Sequence, residues 1–427
     1  MLISIIYISL FILLYFGYAL VESLISKRRH GKNVYNERKT VTFGDESAVK
    51  PNRVASIFSV ITLFFLWGAF TGSKLTPIHV EGPFTGDTSF SYTASNSQNQ
   101  NDDATVYIRV KYSGDKFNKP DILNINQTGF ARNDAMKVTA WRSALIRVQN
   151  NDVGGKEKGY RISAINNQPI TPKQSIKVAN GIVSMTAKGS LNFAPDKGWQ
   201  MEAIWLPAPE AVFTRLIEIA RDGYQNITLT ENIGWSLLRV IAGFLLGSLV
   251  GIPLGYAMGL NSWFRGWFDP IVEFMRPIPP LALIPLIIIW FGIWETGKIS
   301  LLFLAALWIM TIAARAGVSG VNISKIHAAY SLGASKFQVL TRVIIPNSLP
   351  DIFTGARVAM GVCWGTVVAA ELVAAEKGAG KMIIAASKFQ QTDVVIMGII
   401  LIGIIGYGID ILMRLAERAL VPWKGKV

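Results

Sequence analysis

Seven segments of this chain are long and apolar enough to cross a lipid bilayer, and they constrain the fold more than any other feature. A hydrocarbon core about 30 Å thick takes about 20 apolar residues per helical crossing. The segments are roughly 2–21, 54–71, 235–259, 270–292, 299–317, 354–374 and 392–413, with the sixth diluted by glycine and alanine. Inside lipid every backbone N–H and C=O needs an internal partner, which runs of this kind obtain as α-helices. The expected fold class is therefore an all-α polytopic membrane protein of about seven spans, and 51% hydrophobic residues in 427 fits it.

The formal charge of +14 would suggest nucleic acid in a soluble protein. Here the basic residues gather in particular loops, which in a membrane protein is an orientation signal, and no nucleic-acid partner is implied. Residues 23–53 hold eight Lys/Arg (Lys27, Arg28, Arg29, Lys32, Arg38, Lys39, Lys50, Arg53) against three acids, so this loop is expected in the cytoplasm. The first segment lacks a basic n-region and its apolar core is too long for a signal peptide, so it reads as a retained anchor with its N-terminus outside. Counting onward places 72–234 outside, the turn around Arg265 inside and the turn around Lys298 outside. Residues 325–357 then fall inside and 376–391 outside. The basic tail (Arg414, Arg418, Lys424, Lys426) is inside.

Between 73 and 205 the composition changes. Asn, Asp, Ser, Thr and Gly become common and helical apolar runs vanish. "TVYIRVKY" (105–112) alternates like a half-buried strand. Asn180-Gly181 stands between two β-type runs, a tight-hairpin signal. A small β-rich extracytoplasmic domain is expected, preceded by a flexible polar segment over 89–105 ("SFSYTASNSQNQNDDAT"). No catalytic set is visible in it; a structural or docking domain is the plain reading, and a ligand site has no support.

Chemistry is sparse elsewhere. Cys363 is the single cysteine, so there is no intramolecular disulfide or thiolate cluster. His30, His79 and His327 are too scattered for a metal site. "GIWETGKIS" (292–300) imitates a phosphate-cradling loop, but Ile299 replaces the Mg²⁺-binding hydroxyl and no strand precedes it; "EKGAGKM" (376–382) fails likewise. Any ATP and Mg²⁺ would be bound by a partner ATPase, and no cofactor is expected in this chain.

Arg239, Asp269, Glu273, Arg276, Arg315, Glu371 and Asp410 lie in or near spans, where an uncompensated charge costs several kcal/mol. They serve packing and helix-end anchoring or line a path. Glu273 and Arg276, three apart, are placed to pair along one helix. Pro277, Pro279, Pro280 and Pro285 break helix hydrogen bonding in the fourth span, which a membrane tolerates only inside protein or beside a water-filled cavity. Glu273, Arg276, Pro279, Pro280 and Glu371 are the candidate pathway residues.

Between the fifth and sixth spans stands "KIHAAYSLGASKFQVLTRVIIPNSLPDIFTGAR" (325–357). Ile326, Ala329, Tyr330, Gly333, Phe337, Leu340 and Ile344 follow helical spacing on one face. Gly333 suggests a bend or a close backbone approach. Pro346 and Pro350 are expected to turn the chain out of helix and into the next span. A helix–bend–helix element suited to another protein's groove and a membrane-surface amphipathic helix both remain open on physical grounds.

Read together, the motifs resemble a known family. "HAAYSLGASKFQVLTRVIIPNSLPDIFTGARVA" resembles the EAA loop of ATP-binding-cassette importer permeases of the type I fold. Ala328, Ala329, Gly333, Ile345-Pro346 and Leu349-Pro350 match, and His327 stands where the family has glutamate. "LPAPEAVF" (206–213), "SLLRVIAGFLLGSLVGIPLGYAMG", "DPIVEFMRPIPPLALIPLIIIWFGI", "AAELVAAEKGAGKMI" and "ERALVPW" resemble segments of its nitrate/taurine/sulfonate branch.

The resemblance implies an N-terminal anchor and basic loop (1–53), a first core span (54–72), an insertion (73–205) and a permease core (206–427). It implies an ATPase-coupling element at 325–350 made by His327, Ala328, Ala329, Leu332, Gly333, Ala334, Lys336, Pro346 and Pro350. It also implies a second permease copy in a homodimer, two cytoplasmic ATPase subunits, an extracytoplasmic solute-binding protein and a bacterial inner membrane. The expected function is a small-anion permease working by alternating access, not an enzyme. A permease-derived sensor or assembly scaffold that does not transport is the alternative, supported by the insertion and His327.

Overall fold

A computed structural model describes residues 2–29, 53–121, 129–153 and 160–423. Most of the basic 23–53 loop, with His30, lies outside the described residues, as do Lys424 and Lys426 of the tail. The chain divides into two compact units, Met1–Glu210 and Ala211–Val427.

The first unit opens with helices α1 (Leu2–Arg29) and α2 (Arg53–Thr71), both apolar enough to span. They meet through aromatic side chains: Tyr7 stacks on Phe65 at 5.8 Å between ring centroids, and Phe11 lies 5.8 Å from Phe58. The polar end of Tyr7 is satisfied by donating to Ile78 O at 2.8 Å.

After α2 comes a β domain of two sheets. The strands are β1 (Gly86–Ser95), β2 (Asn101–Lys111), β3 (Asp134–Thr139), β4 (Ala144–Ile146), β5 (Arg161–Ile165), β6 (Gln168–Pro169), β7 (Ser175–Val178), β8 (Gly181–Met185) and β9 (Leu191–Pro195). The sheets run β3-β2-β1-β5-β6 and β4-β9-β8-β7, with β2 and β3 parallel. The expected hairpin forms: Val178 pairs with Gly181 and Asn180 takes φ +61°, the left-handed backbone such a turn demands.

The expectation of a flexible 89–105 segment is overturned. Its residues build β1 and the start of β2, the longest antiparallel ladder in the domain. Hidden among its serines and threonines, Phe90, Tyr92 and Ala94 alternate inward and are buried, with Phe90 6.3 Å from Phe193 across the two sheets. Polar residues at every other place are what a one-face strand needs, and polarity alone misread them.

The second unit is helical: α3 (Pro209–Asp222), α4 (Leu229–Leu260), α5 (Ser262–Met275), α6 (Ile284–Phe291), α7 (Glu295–Ser319), α8 (Ile323–Ser331), α9 (Lys336–Val339), α10 (Ile345–Ala374), α11 (Ala379–Lys388) and α12 (Thr392–Leu420). Among the described residues of the whole chain, six helices can span, or seven if a bent pair counts as one. That pair replaces the straight 270–292 span: α5 begins at Ser262 and turns by 91° into the Pro280–Phe291 segment. The sequence window missed the start because Arg265 and Asp269 dilute it.

The seam between α4 and α7 is made by glycines spaced four apart. A Cβ at Gly247 would sit 2.6 Å from Ala306 Cβ and 2.7 Å from Phe303 O; at Gly251, 2.7 Å from Leu307 O. Gly243 and Gly255 press on Leu302 and Thr311 in the same way. With lipid removing the hydrophobic drive between helices, small residues on one stripe let the backbones close to van der Waals distance.

Candidate functional site

The 325–350 element is a helix, a turn and a second helix, as its sequence suggests. Asn322 caps α8 by accepting from Ser324 N at 2.9 Å, and Ser335 and Gln338 form a capping box on α9. Between them Gly333 has φ +79° and no atom within 4 Å of a built Cβ. Its role is therefore the bend, not a close approach.

The bend restarts the helical phase, so the predicted single apolar face does not exist. Val339 and Ile344 are buried, whereas Tyr330 and Phe337 are exposed. Leu332 (88% exposed) and Phe337 (73%) stand on either side of Gly333 with polar neighbours around them. His327, Ala328 and Lys336 are exposed, while Ala329 and Ala334 are half-buried.

Pro346 and Pro350 do not turn the chain out of helix. Both lie in α10, and the path from Lys336 to Ala374 stays helical through a π turn at Leu340–Ile344. The wider π turn comes just before Pro346, which has no N–H to give the preceding turn. Lys325 Nζ donates to Asn347 Oδ1 at 2.9 Å and Trp423 Nε1 to Pro346 O at 3.2 Å, fastening both α8 and the C-terminal segment to the base of α10.

The candidate pathway residues fall in three places. Arg276, Pro279 and Pro280 line one cavity of about 210 Å³ at the α5 bend, together with Trp308 and Ile312 of α7 and Val362 of α10. Glu273 does not pair with Arg276 as its spacing suggested; it faces Arg315 of α7 at 3.8 Å, and Arg315 also pairs with Asp269. An interhelical arginine wins over the i,i+3 partner.

Glu371 lies elsewhere, fully buried in α10 and tied to α4 and α11. It accepts from Arg239 Nη1 at 2.6 Å, Ser236 Oγ at 2.8 Å and Gly380 N at 3.0 Å. Arg239, 1% exposed, continues to Glu295 at 2.5 and 2.8 Å and to Lys377 O at 2.8 Å, and Lys298 reaches Glu295 at 2.8 Å. This knot joins α4, α7, α10 and the start of α11, each charge meeting its opposite.

Sequence reasoning missed Glu295, Lys298 and Trp308. The first two stand in the "WETGK" run that imitates a phosphate loop, and their partner lies on another helix. Nothing local marks Trp308; only the fold brings it beside Arg276.

Among known families, the model described as "Binding-protein-dependent transport system inner membrane component" matches residues 234–422. The Taurine transport system permease protein TauC of Escherichia coli is 47% identical over 52% of this chain and 82% of its own length. The putative aliphatic sulfonates transport permease protein SsuC of Escherichia coli is 34% identical over 59% of this chain and 94% of its own. The bicarbonate transport system permease protein CmpB of Synechococcus elongatus is 32% identical over 50% and 80%. The family match begins after the β domain, at residue 234.

Proposed function

Because the chain belongs to the binding-protein-dependent transport system inner membrane components, we propose that it forms the pathway of an ATP-driven importer for a small anion, a sulfonate, taurine, nitrate or bicarbonate. It is a multi-pass inner-membrane permease; a separate ATPase hydrolyses ATP and a binding protein brings the solute. In the proposed assembly two copies of this chain carry two ATPase subunits. The 325–350 element faces the cytoplasm and the β domain the other side, as the loop charges suggest.

The observation that carries the reading is the pair Leu332 and Phe337 exposed astride the Gly333 turn. Two bare apolar side chains on a capped, bent helix pair suit a groove in a partner protein. Motion imposed there has a stiff route inward, since α9, the π turn and α10 form one helical path from Lys336 to Ala374, near Glu371. ATP then shifts the permease between inward- and outward-facing states only by its differential affinity for them.

The test is reconstitution with the partner ATPase and binding protein. Loaded binding protein should stimulate ATP hydrolysis; absence of stimulation leaves a sensor or scaffold instead. Gly333→Leu forces a branched residue into left-handed backbone, at about 1–2 kcal/mol, and blocks the turn. Together with Lys336→Glu it should cut co-purification of the ATPase about tenfold while the permease still inserts. Co-purification at the wild-type level would overturn the coupling role.

A further inference from the structure

Every acid near the α5 bend is already engaged. Asp269 faces Arg265 at 3.5 Å and also pairs with Arg315, and Glu273 faces Arg315 at 3.8 Å. That leaves Arg276, one helical turn further on, with no ion pair among the described residues. It is exposed on the bundle surface of a single chain. Arg276 caps the C-terminal end of α5, at the 91° bend of the helix pair that together is long and apolar enough to span. A guanidinium within a membrane span does not face lipid without heavy cost, so it faces protein or water.

A second, independent observation comes from the opposite wall. The Trp308 indole Nε1 is buried and meets no acceptor among the described residues. An indole N–H enclosed in protein ordinarily finds a partner. Both groups line the same cavity, about 210 Å³, roomy enough for water or a small solute. The other lining side chains, Pro279, Pro280, Ile312 and Val362 among them, are apolar and bring no acceptor. The side-chain polar groups of the cavity are therefore donors only, one of them charged.

We infer that this cavity is an anion station of the transport path, in which Arg276 and the Trp308 N–H bind the oxygen atoms of a small oxyanion of the sulfonate class. The inference rests on the importer reading and adds the recognition chemistry within the membrane. The guanidinium fork grips two oxygens, and the indole supplies a third, uncharged bond. Proline and aliphatic walls hold nothing, so the solute is gripped at one end and is free to leave when the bundle changes state.

The experiment measures maximal ATP-dependent uptake into proteoliposomes holding the permease, its ATPase and saturating binding protein. Radiolabelled taurine, nitrate and bicarbonate are supplied in parallel. Arg276→Gln should lower uptake of the transported anion about tenfold, and Trp308→Phe about threefold. Arg276→Lys should recover part of the rate, and ATPase co-purification should not change. Wild-type uptake rates in both Arg276→Gln and Trp308→Phe overturn the site while leaving the importer reading intact. No uptake of any of the three by the wild type overturns the importer reading and the site with it. If Arg276→Gln loses the ATPase, Trp308→Phe carries the test alone, since it removes one N–H and leaves the charge in place.

Discussion

Two arginines of one helical bundle have opposite surroundings. Arg239 is buried among two carboxylates, a carbonyl and a lysine that shares one of those carboxylates. Arg276 lines a cavity whose other side-chain polar group is also a donor. The first arrangement is complete within the chain and locks helices together; the second is incomplete and waits for charge from outside. Charge without a partner in a membrane span is the more informative of the two, because folding alone does not explain it.

The comparison breaks most visibly if Arg239 is removed. Arg239→Ala leaves Glu371 and Glu295 without their common cation and should cost about 3–5 kcal/mol. Heated detergent extracts should then lose the monodisperse peak many degrees below the wild type. A melt unchanged from the wild type would mean that the knot does not hold the bundle.

Next in size is the glycine seam beside that knot. Gly247→Val drives carbon into Ala306 and the Phe303 carbonyl and should cost about 1–3 kcal/mol. The same heated-extract assay would read it, and a neutral result would show that α4 and α7 have room to separate.

The β domain offers a second case of incomplete charge, read by pH. Burial and then the neighbouring Asp152 carboxylate push Asp134 up from 3.8 to about 7, and burial raises Asp152 as well. One oxygen of each meets no hydrogen-bond partner among the described residues. A raised carboxyl pKa means the folded state holds the proton longer. The stability it contributes is full below 3.8 and is lost as pH rises through about 7. Asp134→Asn should flatten that slope and raise the domain's melting temperature at pH 8 by about 4 °C, seen by hydrogen exchange of β2 and β3. An unchanged slope would remove Asp134 as its source.

Smallest of all should be the stability effect of Arg276→Gln, within about 0.5 kcal/mol, despite its large effect on uptake. A melt lowered as far as that of Arg239→Ala would make Arg276 a structural residue and erase the contrast.

The spans, the Gly333 bend and the Asn180-Gly181 hairpin were legible because each rests on a local rule: bilayer thickness, left-handed backbone, turn chemistry. The 89–105 segment was not, since its alternation of Phe90, Tyr92 and Ala94 is masked by serine and threonine on the other face. The knot was not, since Arg239 finds Glu295 and Glu371 on helices far along the chain. Glycines 243, 247, 251 and 255 were visible all along as a four-residue repeat, though only their partner helix gives them meaning. The prolines pointed to the right place for the α5 bend and the wrong outcome at Pro346 and Pro350, where a π turn kept the helix going.

The β domain leaves and rejoins the chain at nearly one point. Val80 N donates to Ala69 O at 3.2 Å and Met201 N to Phe70 O at 2.8 Å, so the outgoing and returning strands are both stitched to the last turn of α2. A detour that closes on itself can be spliced in or out without rerouting the polypeptide around it. The domain is thus a detachable module by its connections, entering and leaving the chain beside one helix end.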